Sequence, residues 1–259
     1  MTSFSNLINF RMRSFLWTFA PLLLFCVPAV AQKAALSAPM TADEVMKRVA
    51  AMNEVRAKAL DSYSSLRRYH LECHCLVPKQ ADMVVQADYY SPNHKEFNVV
   101  SESGSGTVRN KVFRALLDAE LESTQPENQQ RSAVSPENYT FHLVDHQKTD
   151  KDEFYVLEAA PRTKNKFLFR GRIWVDAKDF AITRVVGEPA VNPSWWTRKT
   201  DFIRTYQKVG DVWLPQSNES VSNVRMLGTA VLTIHYQEYQ VRQTPAASDL
   251  ARNMASSEQ

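Results

Sequence analysis

Phe167-Leu168-Phe169-Arg170-Gly171-Arg172-Ile173-Trp174-Val175, then Asp176-Ala177-Lys178-Asp179, then Phe180-Ala181-Ile182-Thr183-Arg184, is the stretch that decides the fold. Side chains alternate between the two faces of a strand. One face of 167–175 therefore carries Phe167, Phe169, Ile173 and Val175, and the other Arg170, Arg172 and Trp174. A short polar turn sends the chain back as a second strand. Strands with one oily and one mixed face, joined by tight turns, make an antiparallel sheet that is covered on one side and wet on the other.

The same pattern extends in both directions. Gly210-Asp211 closes a hairpin between 199–209 and 212–222. In 225–241, Ala230, Leu232, Ile234 and Tyr236 alternate with Val231, Thr233 and His235. Upstream, 139–148 and 153–160 read as strands. Residues 66–77, 82–90 and 94–103 form a meander stopped by Ser91-Pro92-Asn93 and by Gly104-Ser105-Gly106. With 166–176 and 180–187 this makes about ten strands without crossover helices, hence antiparallel pairing. Two segments have helical period. Residues 42–60 follow a capping box in which Thr41 is the N-cap and Glu44 reaches back. Residues 107–122 carry the stripe Val108, Val112, Phe113, Leu116, Leu117 and Leu121. Residues 123–138 and 188–198, with two prolines each, read as loops.

A twisted sheet of ten strands curls, splits or closes. The expected fold is α+β and mostly antiparallel β: a curved, unclosed half-barrel of about ten strands with two helices covering the concave face. Two helices are few for so much apolar sheet. Either the interior is filled, or part of it stays open as a cavity for a lipid-like ligand; the pattern leaves both open.

At 44% hydrophobic and 23% charged, the chain of 259 residues is globular in composition, not disordered. It has six glycines and no Gly-rich nucleotide loop, no GxSxG and no HExxH. No Ser-His-Asp order can be argued, which points to a binding protein rather than an enzyme, with no cofactor and no metal. Arg11 and Arg13 precede an apolar stretch, Phe15 to Val30, that ends in Ala29-Val30-Ala31. This reads as a secretory signal peptide cleaved after Ala31. It is followed by a linker over 32–40, a domain over 41–242 and a polar tail over 243–259. Two of the 31 basic residues and none of the 28 acidic ones lie in the leader, so the exported chain is nearly neutral. That excludes the electrostatic footprint of nucleic-acid binding.

Arg67-Arg68-Tyr69-His70-Leu71-Glu72-Cys73-His74-Cys75 is the densest chemical cluster. As a strand it places His70, Glu72 and His74 on one face and Cys73 and Cys75 on the other, and neither set completes a zinc site. Alternate strand residues lie about 6.8 Å apart, at the upper edge of disulfide spacing. Two buried free thiols are therefore the reading that spacing favours, while a Cys73–Cys75 disulfide needs a bulge. Trp195-Trp196, in a Pro-bounded loop, forms either a rim that grips a ligand or a plug for one end of the sheet. The acidic residues Asp118, Glu120 and Glu122 read as a solvated helix face.

The layout resembles the periplasmic LolA/LolB/RseB superfamily of outer-membrane lipoprotein-sorting proteins. The resemblance rests on the leader, the first helix, Tyr63-Ser64-Ser65-Leu66, Phe154-Tyr155-Val156-Leu157-Glu158-Ala159-Ala160-Pro161, Ile173-Trp174-Val175-Asp176 with Phe180-Ala181-Ile182-Thr183-Arg184, and Gly210-Asp211-Val212-Trp213-Leu214-Pro215. It implies a periplasmic protein with an apolar cavity for the acyl chains of lipoproteins or lipids. Phe113, Leu116, Leu117, Phe167, Phe169, Leu232 and Ile234 are the cavity candidates, and Trp195 and Trp196 the rim. The RseB-like branch implies the alternative, a signalling or scaffold module that binds a membrane-associated protein partner through the sheet.

Overall fold

A computed structural model describes residues 40–192, 197–224 and 228–244. The leader, the Trp195-Trp196 pair and the tail from residue 245 lie outside the described residues. Helix α1 (Ala42–Ala59) starts at the expected capping box. The Thr41 amide donates to Glu44 Oε2 at 2.7 Å, and the Glu44 amide donates to Thr41 Oγ1 at 3.3 Å. Val45, Met46, Val49 and Met52 form its buried stripe. Thr41→Ala is expected to lower stability by about 1 kcal/mol, read as a shift in the urea midpoint with an unchanged slope.

Ten strands follow the expected order: β1 (Leu60–Cys75), β2 (Lys79–Tyr90), β3 (His94–Gly104), β4 (Tyr139–Lys148), β5 (Glu153–Pro161), β6 (Phe169–Asp176), β7 (Ile182–Pro189), β8 (Thr197–Val209), β9 (Val212–Val224) and β10 (Gly228–Gln243). They form one antiparallel sheet in the order β3-β2-β1-β10-β9-β8-β7-β6-β5-β4. Every neighbour is a sequence neighbour except the pair β1–β10, and β3 and β4 remain as edges. The sheet is thus a curved, unclosed half-barrel. Between β6 and β7 the glycines Gly171 and Gly187 lie opposite each other. A Cβ on either would meet the facing strand's carbonyl oxygen, so only glycine permits this close approach.

The second helical segment is more elaborate than its periodicity suggested. It comprises α2 (Gly106–Val108), a π-helical turn (Arg109–Phe113) and α3 (Arg114–Thr124). The wider π turn sets the phase so that Val108, Phe113 and Leu117 are the buried residues. The expected loop at 123–138 contains a short helix, α4 (Pro126–Ser132), with Pro126 at its first position and Glu127 in its first turn. Proline is favoured there because its missing N–H would be unpaired in any case. No helix among the described residues is long and apolar enough to cross a membrane.

The helices build two separate cores on the same face of the sheet. Helix α1 packs over the β4–β7 end, with Tyr139, Phe141, Leu157, Phe169, Ile173, Val175, Phe180 and Val185. The 106–124 segment packs over the β1–β3 end, with Tyr69, Leu71, Ala81, Met83, Val85 and Ile234. The tip of the β8–β9 hairpin is tied down by Asp179 in the β6–β7 turn. Asp179 Oδ2 accepts from Lys208 Nζ at 2.7 Å and from Trp213 Nε1 at 3.0 Å. Arg56 of α1 donates to the Asp179 carbonyl, and its Nη2 lies 3.9 Å from Asp179 Oδ1.

Candidate functional site

The pairing register lines up one residue from each strand across the whole sheet: Glu102, Met83, Tyr69, Ile234, Asn218, Arg204, Val185, Ile173, Leu157 and Leu143. Directly opposite residues share a face, so this row crosses the concave side. Met83, Tyr69 and Ile234 are buried under one helix, and Val185, Ile173 and Leu157 under the other. Only Asn218 and Arg204, at the centre, interrupt this apolar stretch. The neighbouring row runs through Leu71, Leu232, Ser220 and Phe202. The one beyond it runs through Cys73, Ala230, Ser222 and Thr200, where the Thr200 and Ser222 hydroxyls meet at 2.9 Å. The strip of concave face between the two cores is thus floored by Arg204, Asn218, Ser220, Phe202, Leu232 and Tyr206. Arg204 is exposed, and the other five are half-buried.

One wall of this strip is held by charge. Arg67 on β1 is only 2% exposed. Its guanidinium lies 5.1 Å from the ring centroids of both Phe97 and Tyr236. Arg67 Nη1 donates to Glu120 Oε2 of α3 at 2.7 Å, and Lys95 Nζ donates to the other oxygen of the same carboxylate at 2.7 Å. Burial alone would push the Glu120 carboxyl up. The Arg67 and Lys95 cations outweigh it and hold it at about 2. Burial also pushes the Tyr236 hydroxyl up to about 12, so it remains neutral within reach of both Arg67 and Arg204. Glu120 is therefore the anchor of α3 and not part of a solvated face.

Arg204 is placed differently. Its guanidinium lies 5.8 Å from the Phe202 ring centroid, and no carboxylate among the described residues forms an ion pair with it. The surrounding protein disfavours its charge, but Tyr206, Tyr236 and the more distant Glu120 raise its pKa above the ordinary arginine value. It is a permanent cation on the concave face.

The expected cavity residues do not converge on one hollow. Phe113, Leu117 and Ile234 are buried in the core under the 106–124 segment, with Leu116 and Leu232 half-buried at its margin. Phe169 belongs to the other core. Phe167 precedes β6 and is half-buried beneath Lys166, and Leu168 is buried in its place. Trp195 and Trp196 lie outside the described residues. A cavity of about 480 Å³ lies elsewhere, at the fork where β9 parts from β10, lined by Gln207, Gln216, His235, Tyr236, Gln237 and Tyr239 among others. The sulfurs of Cys73 and Cys75 meet in a disulfide, with Cα atoms 5.2 Å apart. The strand is puckered enough to close the spacing that favoured free thiols. His70 pairs with Asp82 at 2.7 Å on the outer face.

The fold and this strip define an open antiparallel half-barrel with a helix over each end of its concave face and an uncovered, mixed-polarity floor between them. Residues 75–241 match a family of unknown function, DUF5686, and the chain belongs to it. No curated protein matches the chain. Among solved structures it is similar to a LolA-superfamily protein from Nitrosomonas europaea, with 11% identity, coverage of 80% of this chain and 96% of that one, and a TM-score of 0.35. A DUF1329-family protein from Desulfovibrio piger shows 9% identity, 77% and 92% coverage, and a TM-score of 0.40. The MucA/MucB complex of Pseudomonas aeruginosa shows 9% identity, 81% and 96% coverage, and a TM-score of 0.25.

Proposed function

We propose that this chain is an exported, periplasmic binding protein that holds the acyl chain of a lipid or lipoprotein in the strip between its two cores. The observation that supports this is the concave row, which is apolar and buried under each helix and left uncovered at its centre. Leu232, Phe202, Tyr206 and Leu116 offer half-buried apolar surface along that strip. Each CH₂ buried there contributes about 0.8 kcal/mol, so one chain gives useful affinity without any polar motif. The Arg11/Arg13 leader supports export.

The test is to express the full chain in a bacterial host, purify it from the periplasm, extract it with solvent and identify the extract by mass spectrometry. Near-stoichiometric acyl lipid is the expected result. An extract without lipid, from protein that also fails to bind added decanoate or decanol, overturns the reading. A second reading, capture of a protein partner, draws on the two unpaired strand edges. Val100 on β3 is 59% exposed and Val144 on β4 is 45% exposed, and an edge strand is a template for an added strand. A lipid-free preparation that carries a stoichiometric protein favours it.

A further inference from the structure

We propose that the occupant of the strip is an anionic amphiphile, and that Arg204 receives its carboxylate or phosphate head while the alkyl chain lies along Phe202 and Leu232. This deepens the acyl-binding reading and rests on it. The argument begins with charge. Arg67 and Arg204 lie on the concave face, Lys95 joins them from the edge strand β3, and Glu120 pairs with Arg67 and Lys95. Both Glu120 oxygens are already engaged, one by Arg67 and one by Lys95. Arg204, beside Tyr206 but in no ion pair among the described residues, is therefore a cation open to an anionic partner in a concavity walled by apolar cores, where an anion's attraction is less screened than on an open surface.

Position gives the second argument. In the register, Arg204 and Asn218 stand side by side in a row that is buried and apolar beyond them, at Ile234, Tyr69 and Met83 on one side and Val185, Ile173 and Leu157 on the other. A cation at such a position costs stability unless it is solvated or paired, and here it stands exposed beside Phe202. Asn218, directly opposite Arg204, has a buried Oδ1 without a hydrogen-bond partner. The pair thus offers fixed polar groups at one point of the strip, with Phe202 two positions along β8 and Leu232 in the same neighbouring row on β10. A head group at Arg204 and a chain over the next row match that geometry. A guanidinium binds either a carboxylate or a phosphate through paired N–H donors, so the head-group chemistry is shared by fatty acids and phospholipids.

The test is isothermal titration of the delipidated full chain with decanoate, 1-decanol, decyl phosphate and acetate. Decanoate and decyl phosphate are expected to bind at least about tenfold more tightly than decanol. Acetate alone should not compete at the same concentrations. In Arg204→Gln the preference for the anionic head should vanish while decanol affinity stays unchanged, and Arg204→Lys should retain part of it. Raising the salt concentration should narrow the preference in the unaltered protein, a readout that does not depend on any variant folding. Equal affinity for decanoate and decanol overturns the proposal and leaves acyl binding standing. A preference that survives in Arg204→Gln overturns it too, as does displacement of decanoate by acetate. Failure of both decanoate and decanol to bind overturns the acyl reading together with it.

Discussion

Replacing Arg67 with alanine is expected to destabilise the fold by about 3–5 kcal/mol, the usual cost of removing one partner from a buried ion pair. The guanidinium is sealed between Phe97 and Tyr236 and holds Glu120 from the opposite layer. Its loss leaves a half-buried carboxylate with only Lys95, and a cavity between two rings. The double variant Arg67→Met with Glu120→Leu should recover much of that loss, because apolar groups of similar volume need no partner. Urea unfolding of the parent, Arg67→Met, Glu120→Leu and the double variant measures the coupling, and that of Arg67→Ala the loss. The pair also fixes the acid response. Glu120 titrates at about 2 in the fold against an ordinary value of 4.5, so its contribution is complete above about pH 4.5 and is lost as pH falls toward 2. The double variant should lack this part of the acid sensitivity. An Arg67→Ala protein as stable as the unaltered one would remove the case that this contact anchors α3.

Asp179→Ala is the other substitution with a large expected effect, again about 3–5 kcal/mol. One buried carboxylate there joins three parts of the chain: α1 through Arg56, the β6–β7 turn in which it sits, and the β8–β9 hairpin through Lys208 and Trp213. Burial opposes its charge, but Lys208 and Trp213 hold its carboxyl below the ordinary range. Without it Arg56, itself buried, keeps only Asp176 as a nearby carboxylate, and the Trp213 N–H is left unpaired. Asp179→Asn keeps an acceptor for Trp213 and should cost less than the alanine. Tryptophan fluorescence should report exposure of Trp213 in Asp179→Ala before global unfolding. A urea midpoint within error of the parent would show that the hairpin is held by Val212 and Leu214 packing alone.

The strands and their faces were legible in the sequence because alternation is a local signal. Ala230, Leu232, Ile234 and Tyr236 do share a face, opposite Cys73, Leu71, Tyr69 and Arg67. The π turn was not legible, since the run Val108–Leu117 satisfies an ordinary helical stripe until the sheet selects which residues it buries. The inward-facing arginines were missed for a related reason. Arg67 alternates with Tyr63, Ser65 and Tyr69, and Arg204 with Phe202 and Tyr206, so alternation does put both on the inner face. What gives them different roles is pairing between distant segments: Arg67 finds Glu120 from a helix 53 residues away, whereas Arg204 lies opposite Asn218 and forms no ion pair with a carboxylate among the described residues. The split of the expected cavity residues into two cores follows from the same cause, because each helix covers its own end of the sheet.

The seam between β1 and β10 has a consequence for how the protein is made. It stitches Leu60–Cys75 to the last described strand, Gly228–Gln243. Each half of the sheet has its own helix and its own cluster of apolar side chains, so each has reason to collapse early and alone. Contacts this far apart in the chain close slowly. A polypeptide emerging N-terminus first would hold two half-built leaves until the last described strand arrived to zip them together.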